Sequence, residues 1–447
     1  MKTVWSMQLH PNNASAFPPE TLVKILKQYG VVGIGDDNID TGRFQDEAAM
    51  GDYVVVRSGG LFVALVEIAG SCVANDKEDD VCWFPLVRKI KILSFEPQRF
   101  FERYKKSTGQ DPDAGLKKRG TFQRTTCEFA KYWISEVEKE EPMKKLVELV
   151  KGNSNVVLTG APGTGKTYLA REIAKDIAGD EERVTNVQFH PSYGYADFVE
   201  GLRPVKKGDV LGFERRDGAF MKLCRRAVRD VDHNYVVVID EINRGDISKI
   251  FGELFSLIEK DYRTRDGKVD GKKVAVETQY GNLWMDGFED GMDEPAKELF
   301  KDGFFVPQNV YIIGTMNDVD RSVESMDFAI RRRFVWLEVE PNDRLDAMCA
   351  GKGIDEAKRG DIRLHMAALN DRIKKDPALG PAYQIGPSYF IRLGDGGYEE
   401  LWNEHLSHLF KEYLRGNPEQ EKIVDGYHQL LLNPVAKDDN DAQGSDN

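Results

Sequence analysis

The chain has little of what a membrane or secreted protein needs. Its 447 residues contain no run of about eighteen apolar side chains, so no membrane span is expected. The opening Met1-Lys2-Thr3-Val4-Trp5 lacks the apolar core of a signal peptide. Cysteine is scarce, with five residues at 72, 82, 127, 224 and 349 and no CxxC pair. This argues for reduced thiols in a cytoplasm and against a structural zinc site, with a Cys72–Cys82 bridge as the alternative to two buried thiols. Positive charge is not in excess either. The formal net charge of −13 excludes an electrostatic nucleic-acid binder as a whole, so any DNA contact must come from local patches. No Pro-Asp…Asp/Glu-x-Lys nuclease pattern stands out. The rest is ordinary for a globular chain, 41% hydrophobic and 31% charged, and too long for one core, so two or three domains are expected.

The most informative stretch is Gly160-Ala161-Pro162-Gly163-Thr164-Gly165-Lys166-Thr167. An apolar β-rich run, 155–159, precedes it, and Tyr168 begins a segment of helical periodicity. Strand, glycine loop and helix together are the context a phosphate-binding loop requires. Glycines allow the tight turn that brings N–H groups against phosphate oxygens, and the helix points its positive end at the same anion. Lys166 would reach the β- and γ-phosphates, and the Thr167 hydroxyl would ligate Mg²⁺.

Downstream, Tyr235-Val236-Val237-Val238-Ile239-Asp240-Glu241 reads as a buried strand delivering two carboxylates at its end. Asp240 would hold the Mg²⁺ shell and Glu241 would polarise the attacking water. Between the two motifs lie a strand at 184–189, an aromatic polar segment at 190–204 and a helix at 219–229. The pattern after Glu241 predicts a helix over 246–259 and then a long polar insertion, 261–307, with a possible hairpin strand at 273–278 and an acidic loop at 286–294. The next core strand, 310–315, delivers Met316-Asn317-Asp318-Val319-Asp320-Arg321-Ser322, which places Asn317 to sense the γ-phosphate. A helix at 323–330 ends in Arg331-Arg332-Arg333, cations suited to a neighbouring subunit's phosphate or, more plainly, to the helix C-terminus.

This set, in this order, resembles the GTPase subunit of McrBC modification-dependent restriction systems, a branch of the AAA+ superfamily. The resemblance spans about residues 140–395 and includes Phe189-His190-Pro191-Ser192-Tyr193 and Gln384-Ile385-Gly386-Pro387-Ser388-Tyr389-Phe390. The Met-Asn-x-x-Asp element discriminates best, although Asp318 and Val319 stand where Thr-Ala is expected. The resemblance implies an α/β core with a parallel sheet and a small helical lid. It implies GTP (or ATP) with Mg²⁺, and a homo-oligomeric ring, expected to be a hexamer, working with a McrC-like nuclease subunit. It also implies that Asp320 and Tyr168 belong to the nucleotide site and that Arg331, Arg332 or Arg333 acts in trans. No Asn-Lys-x-Asp guanine signature supports GTP independently. An ATP-driven protein remodeller is the enzyme alternative. A nucleotide-gated binding module with vestigial hydrolysis is the other, disfavoured by intact Lys166, Asp240, Glu241 and Asn317.

Residues 1–97 read as a compact β-rich barrel with one early helix, 19–29, and short strands at 31–34, 53–57, 61–68, 81–84 and 90–93. The pattern Trp5…His10-Pro11, Gly30–Gly35, Gly51–Val55 and Phe62–Ile68 resembles EVE and YTH-like modules of the PUA superfamily. The resemblance implies a reader of modified DNA bases that flips the base onto aromatic faces. Trp5, Phe17, Phe44, Trp83 and Phe84 are available, and for any one of them an ordinary core role is the plainer reading. The module holds nine Lys/Arg against thirteen Asp/Glu. Residues 98–124 hold eight Lys/Arg against three acids, which reads either as a solvated linker or as a basic strap over phosphates. The expected domains are 1–97, a basic connector 98–130, the core 131–340, a lid 341–435 with helices at 344–348, 362–375, 398–414 and 420–432, and a disordered polar tail 436–447.

Overall fold

The computed structural model describes residues 2–9, 17–35, 38–75, 84–111, 121–207, 210–283, 300, 302–319, 328–393 and 397–434. His10, Pro11, Cys82, Trp83, Lys117–Arg119, the 286–294 stretch, Asp320–Ser322 and the 436–447 tail lie outside them. The chain divides into two compact units, Met1–Lys145 and Leu146–Asn447.

In the first unit, short apolar runs form β1 (Val4–Gln8), β2 (Val31–Ile34), β3 (Tyr53–Ser58), β4 (Leu61–Ala74), β5 (Leu86–Ser94) and β6 (Phe122–Arg124). Helix α1 (Pro19–Tyr29) starts on a proline and closes on Gly30, whose left-handed backbone lets its N–H reach the Leu26 carbonyl. The sheet order is β2-β5-β4-β3-β1-β6, with only the β1–β3 pair parallel. Helix α2 (Pro97–Thr108) and the start of α3 (Glu128–Asn153) follow. Successive β3 side chains point to opposite faces, and both faces are covered. Val54 and Val56 join Trp5, Leu22 and Phe122, whereas Tyr53 and Val55 join Phe100, Tyr104, Phe129 and Trp133. Burial on both faces explains why this strand reads as continuously apolar.

Two expectations change here. The order ends at β2 and β6, which are not paired with each other among the described residues, so the sheet is open where a barrel was expected. Residues 98–130 are not a free connector. Phe100 and Tyr104 of α2 and Phe129 are buried against the sheet, and β6 pairs with β1.

The second unit is built on β7 (Asn155–Thr159), β8 (Val184–Gln188), a hairpin of β9 (Glu200–Lys207) and β10 (Val210–Asp217), β11 (Tyr235–Asp240), a two-residue hairpin of β12 (Lys268–Val269) and β13 (Lys272–Lys273), β14 (Val310–Thr315) and β15 (Val335–Glu338). Five strands form an all-parallel sheet of order β15-β7-β14-β11-β8. Helices α4 (Lys166–Ala178), α5 (Tyr195–Phe198), α6 (Ala219–Arg229) and α7 (Ile247–Phe251) connect its strands. The ends of β7, β11 and β14 therefore lie side by side, at the edge where open α/β sheets bind ligands.

The helix expected over 246–259 breaks after Phe251. Gly252 has φ 53°, and a Cβ there would lie 2.9 Å from the Tyr195 ring, so the chain continues as a tighter turn over Gly252–Ser256. The 261–307 insertion is less polar than its composition suggests, because Phe300, Phe304, Phe305 and Val306 are buried in the core and Arg263 donates to the Ile258 carbonyl (3.0 Å). Lid helices Leu345–Gly351, Glu356–Lys375, Ser407–Tyr413 and Gln420–Leu432 enclose their own core of Ile362, Met366, Leu369, Trp402, Phe410 and Tyr427. The single helix expected over 398–414 is interrupted by a wide turn at Trp402–Leu406, where Trp402 stacks on His428 (4.8 Å). Among the described residues no helix is long and apolar enough to cross a membrane.

Candidate nucleoside triphosphate site

The loop Gly160–Thr167 joins the end of β7 to the start of α4. A Cβ on Gly160 (φ 140°) would lie 2.6 Å from the Val339 carbonyl oxygen, so only glycine fits there. Lys166 is 6% exposed, and its ammonium donates to the carbonyls of Gly160 (2.9 Å) and Ala161 (2.8 Å) and to Thr164 Oγ1 (3.3 Å). Burial pushes its pKa down to about 8, while Asp318, Glu241 and Asp240 act in the opposite direction. The Thr167 hydroxyl donates to Asp240 Oδ1 (2.8 Å).

Asp240 ends β11, and Glu241 follows in a left-handed backbone conformation (φ 52°) that non-glycine residues seldom adopt. This turn gives the two adjacent carboxylates different partners. Asp240 Oδ1 also accepts from Thr315 Oγ1, whereas Glu241 Oε1 accepts from Asn317 Nδ2 (2.9 Å) and Oε2 from Arg244 Nε (3.2 Å). Strained backbone at a strand end is frequent where side chains must be aimed for function. Lys166, Thr167, Asp240, Glu241 and Asn317 are thus one cluster. One hydroxyl and one carboxylate are the hard oxygen donors that Mg²⁺ takes alongside phosphate oxygens, so the residues fit that ion. Among the described residues no group of three His, Cys, Asp or Glu could cage a metal by itself.

Sequence reasoning missed three features of the site. Thr315, 2% exposed, was read only as the end of a strand. Asp318, treated as a spacer, exerts the strongest attraction on Lys166. The lid segment 386–388 lies directly on the phosphate loop, with Gly386 N–H donating to Pro162 O and Ser388 N–H to Gly163 O, both at 3.0 Å. A Cβ on Gly386 would lie 2.1 Å from the Gly163 carbonyl carbon, and one on Gly163 would lie 2.4 Å from Ser388 Oγ. A Gly-Pro pair in a lid was the available signal of close approach. Tyr168 is exposed, with the Arg344 guanidinium 5.8 Å from its ring centre and Arg344 also paired to Glu172.

Other sequence candidates separate from the cluster. Arg333 is internal: it pairs with Glu259 (2.8 Å), lies over Phe255 (4.2 Å) and has a side chain 8% exposed. This corrects its assignment as a cation for a neighbouring subunit. Arg332 is exposed, and Arg331 lies over Trp336 (5.4 Å). The aromatic segment 189–198 serves packing: Phe189 and Phe198 are buried and Tyr193 stacks on Phe189 (5.0 Å). In the first unit, Trp5 is fully buried, stacks on Phe122 (4.6 Å) and donates from Nε1 to Asp52 (2.9 Å). Phe44 is equally buried, edge-on to Phe122 (5.1 Å). Neither presents a face to a base, which corrects their assignment as base readers. Phe84 is buried beside Gly33, and Phe17 packs against the same core.

Comparison with known proteins bears on this architecture. Residues 155–334 match the AAA domain (dynein-related subfamily), and residues 361–422 match the McrB alpha-helical lid domain. The chain is 34% identical over 303 residues to the type IV methyl-directed restriction enzyme EcoKMcrB subunit of Escherichia coli K12, covering 65% of this chain and 59% of that protein. It is 28% identical over 302 residues to the type II restriction enzyme BsuMI component YdiS of Bacillus subtilis 168, covering 59% of this chain and 80% of that protein. A solved structure from Cytophaga hutchinsonii aligns at a TM-score of 0.27 and 15% identity over 55% of this chain and 68% of that one, too low to carry an argument. With paired carboxylates and a glycine loop on a five-stranded parallel sheet, and a lid seated on that loop, the chain carries an AAA domain over residues 155–334 and a lid domain like that of McrB over residues 361–422.

Proposed function

We propose that this chain is the nucleoside-triphosphate-hydrolysing subunit of a modification-dependent restriction complex, using GTP in preference to ATP and driving a separate nuclease chain. The observation that carries the hydrolytic part is the Asn317–Glu241 hydrogen bond (2.9 Å) beside Lys166 and the Thr167–Asp240 pair. In this reading Lys166 holds the phosphates, and Thr167 and Asp240 hold Mg²⁺, whose chemistry is to neutralise charge on the transferred phosphoryl group. Glu241 orients and deprotonates the attacking water, and Asn317 keeps its carboxylate aimed. Arg331 or Arg332, the exposed members of the arginine run, reaches the phosphate of the next subunit in a ring, taken to be a hexamer.

The restriction role draws on the relatives, one named as a methyl-directed restriction enzyme subunit and the other as a restriction enzyme component. The chain spans 59% of the first, so its partners and substrates are inferred by likeness. Target recognition is assigned to the first unit on its resemblance to base-reading modules, with Lys105 and Lys106 among its exposed cations.

The test is kcat/KM for GTP and ATP, followed by cleavage of modified and unmodified DNA after adding the partner nuclease. GTP preference and cleavage of modified DNA alone are expected. A clear ATP preference would contradict the choice of fuel and place the chain with protein remodellers.

A further inference from the structure

Asp240 Oδ1 accepts two hydroxyl protons, one from Thr167 on α4 and one from Thr315 at the end of β14. The strand register explains the second contact. Ile239 of β11 lies opposite Gly314 of β14, and Asp240 and Thr315 are the next residue on each strand. Two residues beyond Thr315, past the end of β14, Asn317 donates to Glu241. The end of β14 and the residues that follow it therefore hold both carboxylates of the site. The two hydroxyls on Asp240 are not equivalent in duty. In the reading above, the Thr167 oxygen also serves the cation through a lone pair while its proton stays on Asp240, so this hydroxyl is shared between two partners. Thr315 is 2% exposed in the sheet and has no such second task.

We propose that Thr315 is a positioning residue for the divalent cation: its hydroxyl fixes the Asp240 carboxylate from the sheet side, so that the carboxylate is aimed by a group that takes no part in binding the cation. The proposal rests on the reading of Thr167 and Asp240 as the cation's protein ligands. A buried threonine that merely satisfies its own hydroxyl would contribute to stability alone. A residue orienting a metal ligand changes metal affinity, typically by about 10- to 100-fold.

The experiment uses the full chain and a fluorescent, non-hydrolysable GTP analogue, with binding followed as Mg²⁺ is titrated and folding checked by melting. Thr315→Val, which keeps the shape and removes the hydroxyl, should raise the Mg²⁺ midpoint about tenfold or more. It should leave binding of the analogue in EDTA unchanged, since Lys166 and the loop are untouched. Thr315→Ser, which keeps the hydroxyl, should stay close to wild type. An unchanged midpoint in Thr315→Val would overturn the proposal, as would a shift in Thr315→Ser as large as that in Thr315→Val. If Thr315→Val does not fold, Thr315→Ala in the same titration decides. Wild-type binding that ignores Mg²⁺ would instead remove the cation-site reading itself, and is seen before any variant is made.

Discussion

Asp240 and Glu241 are neighbours in sequence yet are held by different groups, which makes the site readable one side chain at a time. Lys166→Ala removes the buried ammonium among the loop carbonyls and should abolish nucleotide binding, measured by equilibrium titration. Arg333→Ala should lower stability by on the order of 2 kcal/mol, through loss of a largely buried ion pair and its stacking on Phe255. Arg332→Ala should leave the melting temperature unchanged, and equal effects in the two variants would contradict the division drawn here. Trp5→Ala should cost about 3–5 kcal/mol and unfold the first unit, as expected of a buried aromatic. A folded variant that lost only its preference for modified DNA would restore Trp5 as a base reader. The juxtaposition of motif residues such as Lys166, Thr167 and Asp240 was legible in the sequence. Trp5 and Phe44 were not, because an aromatic side chain has the same composition signal in a core as in a ligand cage.

At the scale of elements, periodicity located helix α6 and the Gln420–Leu432 helix with their observed bounds, and four of the five strands of the parallel sheet to within a residue or so, but not β15. It failed where backbone geometry overrode side-chain pattern. The 246–259 pattern is amphipathic throughout, but Gly252 adopts a positive φ against the Tyr195 ring and ends the helix. The lid illustrates the opposite case, because two short peptide segments touch through backbone groups that no side-chain pattern encodes. Gly386 is the sensitive point. A methyl there meets the Gly163 carbonyl carbon at 2.1 Å, and overpacking of this kind costs about 1–3 kcal/mol. Gly386→Ala should therefore weaken nucleotide binding by about tenfold, by displacing the lid from the phosphate loop. Unchanged affinity would mean that the contact between lid and loop does not matter to the bound state.

On the scale of the whole molecule, the sequence indicated a β-rich first part and an α/β second part, but placed the boundary too early. Residues 98–130 look like a linker because their cations dominate the composition, whereas Phe100, Tyr104, Phe129 and Trp133 bury themselves in the first unit up to its end at Lys145. Assembly was not legible at all, since a trans-acting arginine and a helix-capping arginine look alike in one chain. Mixing Lys166→Ala subunits with Arg331→Ala or Arg332→Ala subunits should recover hydrolysis in mixed rings if one of these cations acts across the interface. Failure of both mixtures, with assembly intact, would remove the trans role. The central claim, that the Asp240–Glu241 strand end is a hydrolytic centre, is tested most directly by phosphate release from saturating GTP and Mg²⁺ in Glu241→Gln, beside its equilibrium GTP affinity. The prediction is wild-type affinity with turnover reduced by about 10²-fold or more; wild-type turnover in that variant would contradict the assignment.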